Sequence, residues 1–337
     1  MKLSYYPYVI KLKDQFTISG HLRIETPAVM VEIEHNGFIG FGEASLPPYL
    51  KEDQQSVASF LRKVDLGKYL DPFQIDSILK EINEIKEGNN AAKAAIDIAL
   101  HDLYGKMKNI PLYRLLNIEK RDDLYASFTI GISDEKSLKR KIKEASESKF
   151  LKIKLGTNKD KQIIERIRSL TDKPLYVDVN QGWTDKNFAL DIIAYLKEHN
   201  VILVEQPFQK ENLKDTAWLS ERSPLPIIAD EAVQSLNDLE KIKDIYAGVN
   251  IKLMKAGGIN KAYQMILKAK KLNLKVMIGC MTETSCATTA ASHLSSLADW
   301  IDLDGAELIS NDLFSGMRIL KGKILIPESP GLGIEKL

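Results

Sequence analysis

Cysteine is scarce: two occur in 337 residues, Cys280 and Cys286, within one short stretch and in no metal-type pairing with histidine. That excludes a disulfide framework and fits reduced thiols. Neither cysteine has a base nearby in sequence, which argues against nucleophilic catalysis. Charge of one sign is lacking too. The 47 basic residues nearly cancel the 46 acidic ones, no like-charge block stands out, and the net charge is +1, so no nucleic-acid partner is expected. No apolar run reaches membrane-spanning length, and MKLSYYPYVIKLKDQF alternates apolar and polar residues instead of forming a leader. A cytoplasmic protein with no membrane partner is the expectation.

What is present falls into two patterns. The first third mixes strand-like alternation at 2–13 and 28–35, a hairpin at His35-Asn36-Gly37 leading into FIGFGEA, and helical stretches, which together read as an α+β module. Residues 90–108 carry small and apolar residues at helical spacing after an Asn cap, which predicts a tightly packed helix. From about residue 124 the pattern becomes strand then helix, repeatedly. YASFTIG, FLKIKLG, LYVDVN, VILVEQP, PIIADE, GVNIKL, KVMIGCM and WIDLDG are the strand candidates. Such a series predicts a (β/α) barrel with its active site at the carboxyl ends of the strands. The competing doubly wound sheet ordinarily carries a Gly-rich phosphate turn after its first strand, and none occurs here.

Polar residues recur at the strand ends. The second strand carries Lys152 and Lys154, the third Asp178 and Asn180, the fourth Glu205, the fifth Asp230 and Glu231, the sixth Lys252, and the eighth Asp302 and Asp304. One charged residue at a strand end is ordinarily a solvated loop residue. A run of Lys, Asp, Glu, Asp, Lys on consecutive units brings five to one rim. Three carboxylates buried there would repel one another, and a divalent cation resolves the conflict. An all-oxygen set without His or Cys favours Mg²⁺ over zinc. Lys154, beside Lys152 and the metal, would become available as a neutral amine base. His21, His35, His101 and His293 show no ligand spacing.

These residues resemble the enolase superfamily and, within it, the muconate-lactonizing-enzyme subgroup. The motifs that carry the likeness are KIK at 152–154, DVNQGW from Asp178, EQP from Glu205, ADEAV around Asp230, NIKLMKAGG around Lys252 and the closing PGLGI. The resemblance implies an α/β fold, a modified TIM barrel (β/α)7β with an N-terminal α+β capping domain. The cap would span 1–120, the barrel 121–320, and residues 321–337 would return to the cap. It also implies Asp178, Glu205 and Asp230 as Mg²⁺ ligands, Lys154 and Lys252 as the acid–base pair, and Lys152 as a neighbour that touches the substrate. Asn180, Glu231 and Glu283 are expected around this set. Lys255 lies three residues past Lys252 and is expected off the opposite strand face or in the loop, so Lys252 is preferred.

Asp302 and Asp304, on one side of the eighth strand, resemble the paired aspartates with which dipeptide epimerases hold a substrate's free α-ammonium group; a turn role beside Gly305 is the alternative. The implied reaction is a two-lysine 1,1-proton transfer, through an enediolate, at the Cα of a dipeptide's C-terminal residue. Thr129 is expected near the substrate, with a structural strand threonine as the preferred alternative; Met281 and Thr282 are expected to line the pocket, where Glu283 facing inward would disfavour anionic substrates. For the second side chain, His21 and Arg23 are alternatives: His21, at about the equivalent place, favours small or uncharged dipeptides of the Ala-Ala type and is the preferred reading, whereas Arg23 would bring back Ala-Glu. An o-succinylbenzoate synthase or muconate cycloisomerase is the competing enzymatic reading, and a non-catalytic binding protein the remote one. The sequence is compatible with a homo-oligomer.

Overall fold

The computed structural model describes residues 1–337 apart from 19–20, 70 and 132–133, with side chains left out for 16–22. Three antiparallel strands, β1 (Lys2–Ile18), β2 (His21–His35) and β3 (Phe38–Ser45), form a meander in that order. Helices α1 (Gln54–Leu61), α2 (Ile75–Glu84) and α3 (Asn90–Lys108) follow. The alanine run of α3 lets it lie directly on β3. A Cβ on Gly40 or Gly42 would stand 2.0 or 1.9 Å from the carbonyl oxygens of Ala99 and Ala95, so only glycine permits this approach. The expected Asn cap is not what starts α3, because Asn89 makes no side-chain cap bond. The Glu52 carboxylate caps it instead, accepting from the N–H groups of Ala91 at 2.9 Å and Ala92 at 3.3 Å, which places negative charge at the positive end of the helix.

Eight parallel strands come next: β4 (Ser127–Ile130), β5 (Phe150–Lys154), β6 (Leu175–Asp178), β7 (Val201–Glu205), β8 (Ile227–Ala229), β9 (Gly248–Lys252), β10 (Lys275–Gly279) and β11 (Trp300–Asp302). Each bonds to its neighbours in sequence order from β4 to β11. A doubly wound sheet would reverse direction part-way, and this one does not. Side chains carry the seam where β11 meets β4. Ser127 Oγ donates to Asp302 Oδ1 at 2.9 Å, while Thr129 gives Asp304 its backbone N–H at 2.5 Å and its hydroxyl at 3.0 Å. The result is a nearly closed barrel.

Strand alternation decides what enters the barrel. On β5, Leu151 and Ile153 join the large core beneath the surrounding helices, which leaves Phe150, Lys152 and Lys154 for the interior. Tyr176, Leu203, Ile228 and Met277 fill that interior, with Phe150 and Trp300 packed against them. Above this apolar plug β5, β6, β7, β9 and β11 end on charged residues: Lys154, Asp178, Glu205, Lys252 and Asp302. The chain's end returns to the cap: Leu332 N–H reaches Asp102 Oδ1 at 2.9 Å, and Lys336 pairs with Glu32 at 3.0 Å. No helix among the described residues is long and apolar enough to cross a membrane.

Candidate active site

Register brings the carboxylates together. Lys154 pairs with Asp178 across β5 and β6, Asp178 with Glu205 across β6 and β7, and Asp230 directly follows β8. One oxygen from each of Asp178, Glu205 and Asp230 lies within 4.8 Å of the others, and all three residues are buried. Around them stand the lysines. Lys154 Nζ donates to Asp178 Oδ2 at 2.6 Å and Lys252 Nζ to Asp230 Oδ2 at 2.7 Å. Lys152 Nζ, 2 % exposed, lies 2.6 Å from Asp302 Oδ2, 2.7 Å from Glu205 Oε2 and 3.1 Å from Asp178 Oδ2. Burial works to lower the pKa of Lys152, but Asp302, Glu205 and Asp178 outweigh it and hold the ammonium well above its ordinary value.

The carboxylates divide by their company. Burial works to raise Asp178, but the flanking ammoniums of Lys154 and Lys152 hold it at about 2. Asp230 is likewise driven up by burial and brought far down by Lys252 and Lys255. For Glu205 burial prevails, reinforced by Asp178, and pushes it to about 7. Its Oε1 accepts from Asn250 Nδ2 at 2.8 Å. Its Oε2 is buried with no hydrogen-bond donor, since Lys152 Nζ stands close but at an angle that makes no bond. An orphaned carboxylate oxygen facing two more carboxylates, in an all-oxygen donor set, fits a hard divalent cation. Asp178, Glu205 and Asp230 are the residues that would hold it.

These groups open onto a cavity of about 600 Å³ between barrel and cap, a size suited to a small molecule. Thr129, Asp302, Asp304, Met281 and Thr282 line it, as do Asn180 and Glu231. Asn180 Nδ2 donates to Glu231 Oε1 at 3.5 Å, and burial, followed by Asp230, pushes Glu231 to about 7. Burial and neighbouring Asp302 push Asp304 to about 7 as well.

Glu283 is buried and accepts from the Met281 N–H at 3.2 Å, beside the cavity-lining Met281 and Thr282 and not among the lining residues itself. Lys255 departs from its expected place. After Lys252 the chain turns helical over Leu253–Ala256, so strand alternation no longer applies and Lys255 folds back onto Asp230. Its Nζ donates to Asp230 Oδ1, to the Asp230 carbonyl at 2.6 Å and to the Asn250 carbonyl at 3.0 Å. All three ammonium hydrogens are thereby committed.

Arg23 reaches the cavity from β2. Its Nη2 donates to Thr26 Oγ1 at 3.1 Å and to Thr282 Oγ1 at 2.5 Å, and its Nε is buried without an acceptor. The side chain of His21 lies outside the described residues.

Some contributors escaped the sequence reading. Asn250 sits two residues before Lys252 on the same strand face, a signal that the alternation offered. Gln206 fixes the rim by accepting from the N–H groups of Asp230 at 2.9 Å and Ala232 at 3.1 Å. Tyr49, half exposed, also lines the cavity. It lies on a cap loop that only the tertiary fold brings to the barrel.

Comparison with known proteins bears on this arrangement. Residues 137–336 match the enolase C-terminal domain-like family model, and residues 7–117 match the mandelate racemase / muconate lactonizing enzyme N-terminal domain. The chain belongs to the mandelate racemase / muconate lactonizing enzyme family of the enolase superfamily. Among its relatives in that family, an L-Ala-D/L-Glu epimerase of Bacteroides thetaiotaomicron is 48% identical over 338 residues, covering 100% of this chain and 88% of that protein. The crystal structure of an N-succinyl Arg/Lys racemase from Bacillus cereus superposes with a TM-score of 0.93 at 28% identity, covering 99% of this chain and 95% of that one. That of a dipeptide epimerase from Enterococcus faecalis, complexed with Mg and the dipeptide L-Leu-L-Tyr, does so at 0.91 and 29% identity, covering 98% of both chains.

Proposed function

We propose that this enolase-superfamily protein is a dipeptide epimerase that inverts the Cα of the C-terminal residue and prefers an acidic second residue, as in Ala-Glu. One observation carries the reading: Lys154 and Lys252 project from β5 and β9, strands half-way around an eight-strand ring from each other, on either flank of the carboxylate triad. A carbon held between them is open to one amine on each face. The proton leaves Cα for the neutral amine of one lysine, and the ammonium of the other delivers a proton to the opposite face. When bound by Asp178, Glu205 and Asp230, a divalent ion, Mg²⁺ by the chemistry of these donors, supplies a Lewis acid and offsets the negative charge that otherwise holds Lys252 protonated.

Asp302 and Asp304 receive the free α-ammonium group. An N-acylated substrate brings no cation to offset the charge of these two buried carboxylates. The preference for an acidic second residue rests on Arg23, which lines the cavity wall. The buried Nε and partly engaged fork of Arg23 suit a side-chain carboxylate. The similarity to the Bacteroides thetaiotaomicron protein, an L-Ala-D/L-Glu epimerase, supports the same choice.

The test incubates purified protein in D₂O with L-Ala-L-Glu, L-Ala-L-Ala or N-acetyl-L-Ala-L-Glu, with Mg²⁺ or with EDTA. Deuterium should enter the C-terminal Cα with epimerisation, faster for Ala-Glu than for Ala-Ala, not at all for the acylated peptide, and not in EDTA until Mg²⁺ is restored. No exchange in any free dipeptide would reject the epimerase reading, and faster exchange in Ala-Ala would reject the acidic preference.

A further inference from the structure

Lys255 is at least as buried as Lys252, yet its surroundings rule out the same task. Its three donors are spent on the Asp230 carboxylate, the Asp230 carbonyl and the Asn250 carbonyl. Lys252 has one partner among the described residues, Asp230 Oδ2. Asp230 is therefore gripped at both carboxylate oxygens and at its carbonyl from the β9 side, while Gln206 holds its N–H from the β7 side. The segment that makes this grip is fixed from the cap. Asn90 Nδ2, at the start of α3, donates to the Lys255 carbonyl at 2.7 Å. Seven residues further along α3, Asp97 receives the N–H groups of Ile259 at 2.7 Å and Asn260 at 3.1 Å, capping the helix that follows. Glu52, close to Tyr49 on the cap loop, holds the same end of α3.

We infer that Lys255 is a positioning residue: it locks Asp230 so that the ammonium of Lys252 is aimed at one face of the substrate, with no corresponding hold on Lys154. This rests on the two-lysine reading above. Lys154 takes its aim from Asp178, which Lys255 does not touch. Losing the grip therefore disturbs one face of the reaction first. A purely structural role, or one confined to the metal, would slow both faces together.

The test follows deuterium exchange at the Glu Cα of L-Ala-L-Glu and L-Ala-D-Glu separately, at saturating Mg²⁺. Lys252→Ala identifies the epimer that depends on the β9 side. In Lys255→Met, exchange of that epimer should fall about 10²-fold, the scale of a small misplacement of a reacting group, while exchange of the other epimer falls far less. Should Lys255→Met not fold, Lys255→Gln, which keeps two donors on a shorter stem, carries the same comparison. Equal losses for both epimers, or no loss in either, would overturn the inference. Absence of exchange in the wild-type protein would instead count against the epimerase reading itself.

Discussion

The proposed acidic preference rests on one residue, Arg23. Its guanidinium is buried at the cavity wall with Nη2 tied to two threonines and Nε without an acceptor, so a substrate carboxylate would complete its hydrogen bonding. A charge-assisted bond of this kind contributes on the order of 2 kcal/mol. Arg23→Met should lower kcat/KM for Ala-Glu by about 10- to 100-fold and leave Ala-Ala nearly unchanged; steady-state assays of the two peptides decide it, and equal losses would remove Arg23 from side-chain recognition. Sequence alone supplied the triad and both lysines because each recurs one strand–helix unit after the last. It left Arg23 against His21 open, since a hairpin at the edge of the cap gives no such spacing. Lys255 was misplaced for a different reason: the strand rule was extended past Lys252, where the backbone had already turned helical.

At the scale of elements, the loop after β10 is held by β3 of the cap. Ser45 Oγ donates to the Thr282 carbonyl at 2.6 Å, and Glu43 accepts the Thr284 N–H at 3.0 Å along with its hydroxyl. Beside this latch lies Glu283, which burial, and next Glu43, push to about 8. A carboxyl whose folded value stands above its ordinary one favours the folded state below that ordinary value, and the contribution is lost as pH rises through the folded value. Wild-type stability should accordingly decline from about pH 5 to pH 9 through this group. Glu283→Gln, which stays neutral, should show a shallower decline in urea midpoints over that range; parallel curves would contradict it. None of this was legible beforehand, because Glu43 and Thr284 are far apart in sequence and their contact exists only once cap meets barrel. The alanine-rich α3 was legible as a close-packed helix, but its cap was not, for Glu52 lies in a different loop.

At the scale of the molecule, the barrel could be read from eight apolar alternating runs with helices between them, and the rim chemistry from polar residues at their ends. Its closure could not. The seam runs through Ser127, Thr129, Asp302 and Asp304, so the aspartates proposed to hold the ammonium group also join the last strand to the first. What the architecture contributes is opposition: four strand positions separate β5 from β9 in a ring of eight, and on the proposed reading one amine would stand on each side of a substrate centred by the triad. Lys154→Ala and Lys252→Ala, each incubated in D₂O with both epimers of Ala-Glu, measure this directly. Each variant should lose epimerisation yet still exchange deuterium into one epimer, a different one for each variant. Retained epimerisation in either variant, or exchange surviving in the same epimer for both, would contradict a pair of lysines acting from opposite faces.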